Sequence, residues 1–296
     1  MAGGERGEQS APFRTSLPSP AADASPTSVR PSLYSAAQLG AEPVQRHRTR
    51  DWFTWEYFMD WAVCLAVIAI MEGPVHYLYP PHEVFYMAGD YSQSYPYQPD
   101  TVPSWALGLI MLSPLLVLPF LFYTRKQSPL FKHELHNYLL AWLEACAINY
   151  LIAGAVKVLT GRHRPDYFSR LNQPDLSTFQ IRNASFSFPS GHTSGSFTAA
   201  TILFLYLSGK TKAFPRGNFA LLLVLGLPFY FALWVLVTRL QDYKHHHIDV
   251  VAGVLVGLAS GGIGYLLNFP SVFSKKCGTP NNLRERNQPR LLPTYG

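Results

Sequence analysis

Six apolar stretches, each about long enough to cross a bilayer, constrain this chain more than any other feature. They run approximately Trp55–Val75, Pro103–Tyr123, Leu135–Leu159, Gly191–Ser208, Phe219–Arg239 and His247–Phe269, and a spanning helix needs roughly 20 residues. The expected fold is therefore all-α: a polytopic membrane protein with six transmembrane helices in a bundle. Composition agrees, since hydrophobic residues make up 48% of the chain and charged residues only 14%. Ordinary soluble domains hold roughly 25% charged residues, and charge is expensive to bury in a membrane. Glycine and proline inside several stretches are tolerated by spanning helices, and Pro114, Pro119 and Pro228 mark expected kinks. The spans fall within a domain placed at 51–272. Residues 1–50, rich in Ser, Pro, Ala and Gly, and residues 273–296, polar and rich in Pro, Asn and Arg, are expected to be disordered cytosolic tails.

Lys and Arg accumulate on the cytosolic side of membrane spans. Arg46, Arg48 and Arg50 precede the first span, and Arg125, Lys126 and Lys132 fall between the second and third. Lys210, Lys212 and Arg216 separate the fourth and fifth, and Lys275, Lys276, Arg284 and Arg286 follow the sixth. With six spans these groups share one face, whereas the opposite loop 76–102 has no Lys or Arg. Both termini are expected in the cytosol, in a multi-pass protein of the plasma membrane or an endomembrane. No basic n-region with a short apolar core follows Met1, so the first span is expected to direct insertion.

The net charge of +6 does not indicate nucleic acid, because the basic residues are split among short segments with no basic face interleaved with aromatics. Cys64, Cys146 and Cys277 show no metal-ligand spacing, and two lie in apolar runs. They imply neither a disulfide framework nor a zinc site, and no metal or cofactor is expected.

Three clusters map to the exoplasmic face. The first is Lys157 to Pro165 at the outer end of the third span. Lys157 and Arg164 are seven residues apart, about 20° short of two helical turns, so both would point one way if the helix ran that far. Pro165 disfavours helix at Arg164 and would open the turn there. A pair of snorkelling interfacial cations is the plain alternative. The second cluster is Pro189-Ser190-Gly191-His192, directly before the fourth span. Capping explains it equally well, yet a helix N-terminus with a glycine is also an anion site. The third is Thr238-Arg239, His245 and Asp249. On a helix His245 and Asp249 would be i,i+4 neighbours, letting the carboxylate fix which ring nitrogen is free. Arg239 and His245 would stand about 120° apart in one helix, so a break near Asp242-Tyr243-Lys244 is expected to bring them together. The run His245-His246-His247 allows casual metal affinity, but no adjacent acidic cluster supports a hard cation.

Each cluster has an ordinary explanation; their conjunction on one face does not. Together they supply three cations, two histidines and an aspartate. Metal-free phosphoryl transfer requires such a set: fixed positive charge, a nucleophile and a proton donor. The three clusters closely resemble the signature of the type 2 phosphatidic acid phosphatase superfamily, Lys-x6-Arg-Pro, Pro-Ser-Gly-His and Ser-Arg-x5-His-x3-Asp. The one departure is Thr238 for Ser, which keeps the hydroxyl. The resemblance covers approximately Trp55–Phe269. Gly161 to Asp166, Asp242 to His246, Tyr95-Pro96 and Thr101-Val102-Pro103 resemble its eukaryotic lipid phosphate phosphatase branch.

The resemblance implies a hydrolase with a phosphohistidine intermediate. His245 would attack phosphorus with Asp249 orienting it. His192 would protonate the leaving alkoxide and then activate water. Lys157, Arg164, Arg239, Ser190 and the Gly191 amide would cradle the phosphate. Implied substrates are phosphatidic acid, lysophosphatidic acid, diacylglycerol pyrophosphate, sphingoid phosphates or isoprenyl diphosphates. A lipid phosphotransferase of sphingomyelin-synthase type and a non-catalytic membrane adaptor are the competing classes. The complete motifs favour the hydrolase. A transporter would need polar residues running through the bilayer rather than gathered at one face. The expected partners are the bilayer and a phosphorylated lipid, with a homo-oligomer also compatible.

Other polar residues read as structural. Glu144 inside the third span is expected to be neutral and hydrogen-bonded, and the Asn183-Ala184-Ser185 glycosylation sequon sits too near the membrane for use. Glu83, Asp90 and Asp100 fit a solvated loop, with a lid as the other reading. Arg162 and His163 fall off the Lys/Arg face and are left outside the site.

Overall fold

The computed structural model describes residues 55–281, apart from positions 86, 88 and 129. The tail read at 1–50 and the end of the tail read at 273–296 lie outside the described residues. Among the described residues the secondary structure is helical and contains no strand. The longer elements are α1 (Trp55–Ile70), α2 (Ser104–Leu112), α3 (Val117–Arg125) and α4 (Phe131–Thr160). Two short helices, α5 (Tyr167–Leu171) and α6 (Thr178–Arg182), follow, then α7 (Gly191–Thr211), α8 (Phe219–Leu225), α9 (Leu227–Gln241) and α10 (His247–Asn268).

Four stretches, Trp55–Val75, Ser104–Thr124, Phe131–Thr160 and His247–Asn268, are long and apolar enough to cross a bilayer. The pair α8 and α9, bent by 43°, makes a fifth. The remaining expected span, the fourth, is α7, which has the length, 21 residues, but not the hydropathy. Its Ser, Thr and Gly residues are buried among other helices, and a helix lined by protein need not be apolar. Around it the outward faces of the bundle are apolar, with Trp105, Leu116, Phe120, Leu255 and Leu266 exposed.

The proline positions are only partly as expected. Pro114 sits in a 3₁₀ turn, Ser113–Leu116, that joins α2 to α3. Two carbonyls at this break are satisfied from α4: Trp142 Nε1 donates to Met111 at 2.8 Å and the Tyr138 hydroxyl to Pro114 at 2.6 Å. Helix breaks inside a membrane survive because neighbouring groups take up the freed backbone. Pro228 follows the α8–α9 bend at Gly226, whereas Pro119 lies inside α3 without a break. Pro74 sits in a π-helical turn, Met71–Val75, that ends the first span.

The centre of the bundle is α7 against α10, and glycine sets their separation. A Cβ on Gly253 would stand 2.9 Å from the Ser190 carbonyl oxygen, one on Gly257 2.5 Å from Phe197 Cβ, and one on Gly261 2.6 Å from Thr201 Cβ. This small-residue stripe lets two backbones approach where no hydrophobic force drives them together. Toward the end distant from the three clusters, Tyr138, Tyr206, Tyr265 and Phe269 form the core. There Lys210 pairs with Glu134 at 2.6 Å. Glu144 accepts a hydrogen bond from Asn268 at 2.6 Å, the structural bond expected of it. Residues 273–281, read from the sequence as the start of a tail, pack in turns: Cys277 is buried and the Phe273 ring lies against Phe214.

Candidate active site

The three clusters converge at one end of the bundle. Helix α4 stops at Thr160 because Gly161 adopts a left-handed conformation, φ 54°, and its N–H closes onto the Lys157 carbonyl. No other residue fits, since a Cβ there would lie 1.8 Å from the carbonyl oxygen of His82 in the loop before α2. The helix thus ends five residues before Pro165, earlier than the opening expected at Arg164, so a continuous helical face from Lys157 to Arg164 does not form. Arg164 instead lies in the following loop, its N–H donating to the Ala184 carbonyl at 2.8 Å. Both cations still reach the same cavity.

That cavity, about 260 Å³, is lined at its outer end by Lys157, Arg164, Gly191 and His192. It runs down between the helices past Met71, Leu107, Met111 and Gly195. The Lys157 ammonium donates to the Phe186 carbonyl at 3.3 Å and lies across the start of α7, 3.5 Å from where a Gly191 Cβ would be. Arg164 donates to Asn183 Oδ1 at 3.1 Å, so the sequon asparagine is engaged as a partner of this guanidinium. Arg164 Nε and His192 Nε2 are buried without a hydrogen-bond partner among the described residues. Burial, then the neighbouring charge of Arg170, brings the Arg164 pKa down to about 10, with Asp166 and Asp100 opposing. Ser190, by contrast, is fully buried as the N-cap of α7, its hydroxyl accepting from the Thr193 N–H at 3.4 Å. Its side chain is engaged behind the cavity rather than in its wall.

Arg239 and His245, both buried, are not among the residues that line this cavity. Helix α9 ends at Gln241, and the chain reverses through Tyr243, held at φ 54°, with the Lys244 N–H returning to the Arg239 carbonyl. The expected break is therefore present and puts Arg239 and His245 at the same end. Helix α10 begins only at His247, so His245 is outside it and the i,i+4 geometry with Asp249 does not apply. The His245 Nδ1 lies 2.8 Å from the Ser187 carbonyl oxygen, and Asp249 stands off at 3.9 Å. Asp249 occupies the third helical position, where its carboxylate accepts from the backbone N–H of His246 at 2.8 Å in a capping box. It also accepts from the Ser187 hydroxyl at 2.6 Å and pairs with Arg162 at 3.1 Å. The direct His245–Asp249 bond inferred from spacing is thus replaced by a link through Ser187, and Arg162, left outside the site on sequence grounds, is the ion-pair partner of Asp249.

A carbonyl oxygen can only accept, so the ring nitrogen facing it is the N–H: the proton resides on Nδ1 and the lone pair on Nε2. Burial, then the charges of Arg164, Lys157 and His192, holds the His245 pKa well below 6.5 against the Ser187 carbonyl. The imidazole is neutral.

Arg239 is 1% exposed and clamped between two carboxylates, Asp100 at 2.8 Å and Asp242 at 2.9 Å. Thr238 accepts from its Nε at 3.3 Å, so the hydroxyl retained by this residue is in use. Lys244, fully buried, pairs with Asp166 at 3.0 Å over the Tyr97 ring. Asp100, Thr101, Ser187, Asp242 and the Lys244–Asp166 pair were not singled out from sequence as parts of the site. They act from loops, whose pairing leaves no periodic signal; only their nearness to the motifs could have marked them.

Residues 138–272 match the sequence profile of the PAP2 superfamily. A PA-phosphatase related-family protein of Dictyostelium discoideum is 36% identical over 252 residues, 82% of this chain and 89% of the relative. The probable lipid phosphate phosphatase 4 of Arabidopsis thaliana is 30% identical, covering 82% of each chain. The probable diacylglycerol pyrophosphate phosphatase 1 of Schizosaccharomyces pombe is 31% identical over 73% of this chain and 82% of its own. No solved structure matches the chain.

Proposed function

Because this chain belongs to the PAP2 superfamily, we propose that it is a lipid phosphate phosphatase that hydrolyses phosphomonoester or diphosphate lipids through a phosphohistidine, without a metal. The observation that supports this most directly is the pinned tautomer of His245, a neutral imidazole with Nε2 free, beside a cavity end carrying Lys157, Arg164 and His192. In the first step Nε2 of His245 bonds to phosphorus and the ester P–O bond breaks. His192 gives its proton to the departing lipid oxygen. In the second step water attacks phosphorus, His192 takes the water's proton, and the P–N bond breaks to release phosphate. Lys157, Arg164, Arg239 and the Gly191 amide hold the nonbridging oxygens, which supplies the charge stabilisation such transfers need. Ser187 and Asp249 orient the nucleophile. Phosphatidic acid, lysophosphatidic acid, diacylglycerol pyrophosphate and sphingoid or isoprenyl phosphates are the candidate substrates, their chains lying in the cavity past Met71, Leu107 and Met111.

In this reading six helices cross the bilayer, with α7 as the shielded fourth, both termini cytosolic, and the site on the outer or lumenal face. The test is phosphate release from a panel of lipid phosphates in millimolar EDTA with no acceptor lipid added. Release under those conditions is expected. Loss in EDTA with recovery in Mg²⁺ overturns the mechanism, and dependence on a lipid alcohol makes the protein a phosphotransferase. In sealed, oriented vesicles, an external protease is expected to remove the end of the chain after Lys275 from the cytosolic side only.

A further inference from the structure

The segment Tyr95–Thr101 of the first outer loop crosses the site and is tied down on both sides of Asp100. The N–H and hydroxyl of Thr101 donate to Asp242 at 2.8 and 2.7 Å, and the Lys244 ammonium donates to the Gln98 carbonyl. Further back, the Tyr95 N–H donates to the Pro165 carbonyl at 3.0 Å and the Ser169 hydroxyl to the Tyr95 carbonyl at 2.6 Å. From this strap the Asp100 carboxylate, its side chain 40% exposed, reaches down to Arg239, which is 1% exposed. The remaining contacts of Arg239 go to Asp242 and Thr238. The outward side of the guanidinium, the side a phosphate would use, is therefore covered by a carboxylate. Burial works to raise the Asp100 pKa, but Lys244, Arg239 and Arg164 hold it below the ordinary carboxylate range, so the group is an anion. Because its neighbours are fixed, Asp100 can leave by rotating its side chain into water, with no movement of the strap.

We propose that Asp100 stands in for phosphate on Arg239 and so sets a binding threshold, since an entering anion must displace it. The inference rests on Arg239 being a phosphate ligand, as in the function proposed above. Displacement weakens every anion by the same factor, as any competing closed state does. A dianionic phosphomonoester or a diphosphate, facing Lys157, Arg164 and Arg239 together, retains useful affinity after that loss. A phosphodiester carries a single charge and falls below it. The distinction matters in a bilayer, where diester phospholipids outnumber any phosphomonoester and would otherwise occupy the cation cluster.

The test compares the wild type, D100N and D100E in detergent micelles, with inorganic phosphate and phosphatidylglycerol as inhibitors of lipid phosphate hydrolysis. D100N is expected to bind inorganic phosphate at least about fivefold more tightly and to become competitively inhibited by phosphatidylglycerol. The same mole fraction of phosphatidylglycerol should leave the wild type and D100E unaffected. Unchanged or weaker phosphate inhibition in D100N overturns the proposal and makes Asp100 a holder of Arg239 instead. A second readout needs no turnover: inorganic phosphate should raise the thermal unfolding temperature of D100N more than that of the wild type, and an equal or smaller rise overturns the proposal. If the wild type releases no phosphate from any lipid, the function proposed above fails, and the thermal readout alone still decides the role of Asp100.

Discussion

The carbonyl oxygen of Ser187 lies 2.8 Å from Nδ1 of His245, while the same residue's hydroxyl donates to Asp249 at 2.6 Å. One residue therefore links the aspartate to the imidazole that sequence spacing had joined directly. Groups that act in series are not additive. Asp249→Asn is expected to lower kcat by about 10²-fold or more and Ser187→Ala by about tenfold, since the alanine keeps the carbonyl but loses the tether. The double variant should be no slower than Asp249→Asn alone. A double-mutant cycle on kcat/KM checks this, and multiplicative losses would mean that the two residues act independently.

The two histidines are expected to fail differently. His245→Ala should form no phosphoenzyme, because no nucleophile remains. His192→Ala should form it slowly with lipid substrates but closer to the normal rate with a nitrophenyl phosphate, whose leaving group needs no proton. Trapping with ³²P-labelled substrate reads both. Acid-labile, base-stable label belongs on His245 and on neither His246 nor His247, and label on His192 would reverse the assignment.

The neutral form of His245 is the nucleophile, and burial followed by the Arg164 and Lys157 charges keeps its pKa well below 6.5. Activity should therefore persist as pH falls through 6.5, with the His245 limb of the phosphoenzyme-formation rate lying well below that value. Removing a nearby cation makes protonation easier and raises the pKa. Arg164→Gln should move the acid limb upward toward 6.5, though not all the way, since burial is the larger cause and remains. Single-turnover rates against pH, using a substrate ionised across the range, test the direction of the shift.

Gly195 borders the lower cavity, where a Cβ would stand 2.9 Å from Met111 Sδ and 3.0 Å from Leu107 Cδ1. Gly195→Val should narrow the cavity and raise KM for long-chain lipid phosphates by about tenfold. It should leave a water-soluble phosphate ester nearly unchanged. Equal effects on both classes would place the lipid chain elsewhere.

Gly257→Ala tests the packing of α7 on α10, since the added carbon would meet Phe197 Cβ at 2.5 Å and the Ser194 carbonyl oxygen at 2.6 Å. Backbone cannot yield as a side-chain tip can, so a loss of about 1–3 kcal/mol is expected, read as a lowered unfolding temperature in detergent. Gly262→Ala, where nothing lies within 4 Å of the added carbon, should leave that temperature unchanged.

The membrane fold was legible because hydrocarbon imposes a length and a composition on each span, and both are local properties of the chain. For the same reason α7 was read as ordinary: its length is visible in sequence, but its shielding by α4, α9 and α10, which explains its polar residues, is not. The residues around His192, His245 and Arg239 were legible as motifs because they follow one another at set intervals along the chain. How they connect was not. Gly161 ended α4 before Arg164, α10 began after His245, and Asp249 was drawn into a helix cap, so Ser187 took the imidazole. Asp100 and Thr101 reached Arg239 and Asp242 across 139 and 141 residues of chain. A hydrogen bond depends on where two atoms stand in space, and across such separations only the packed helices and their loops determine that.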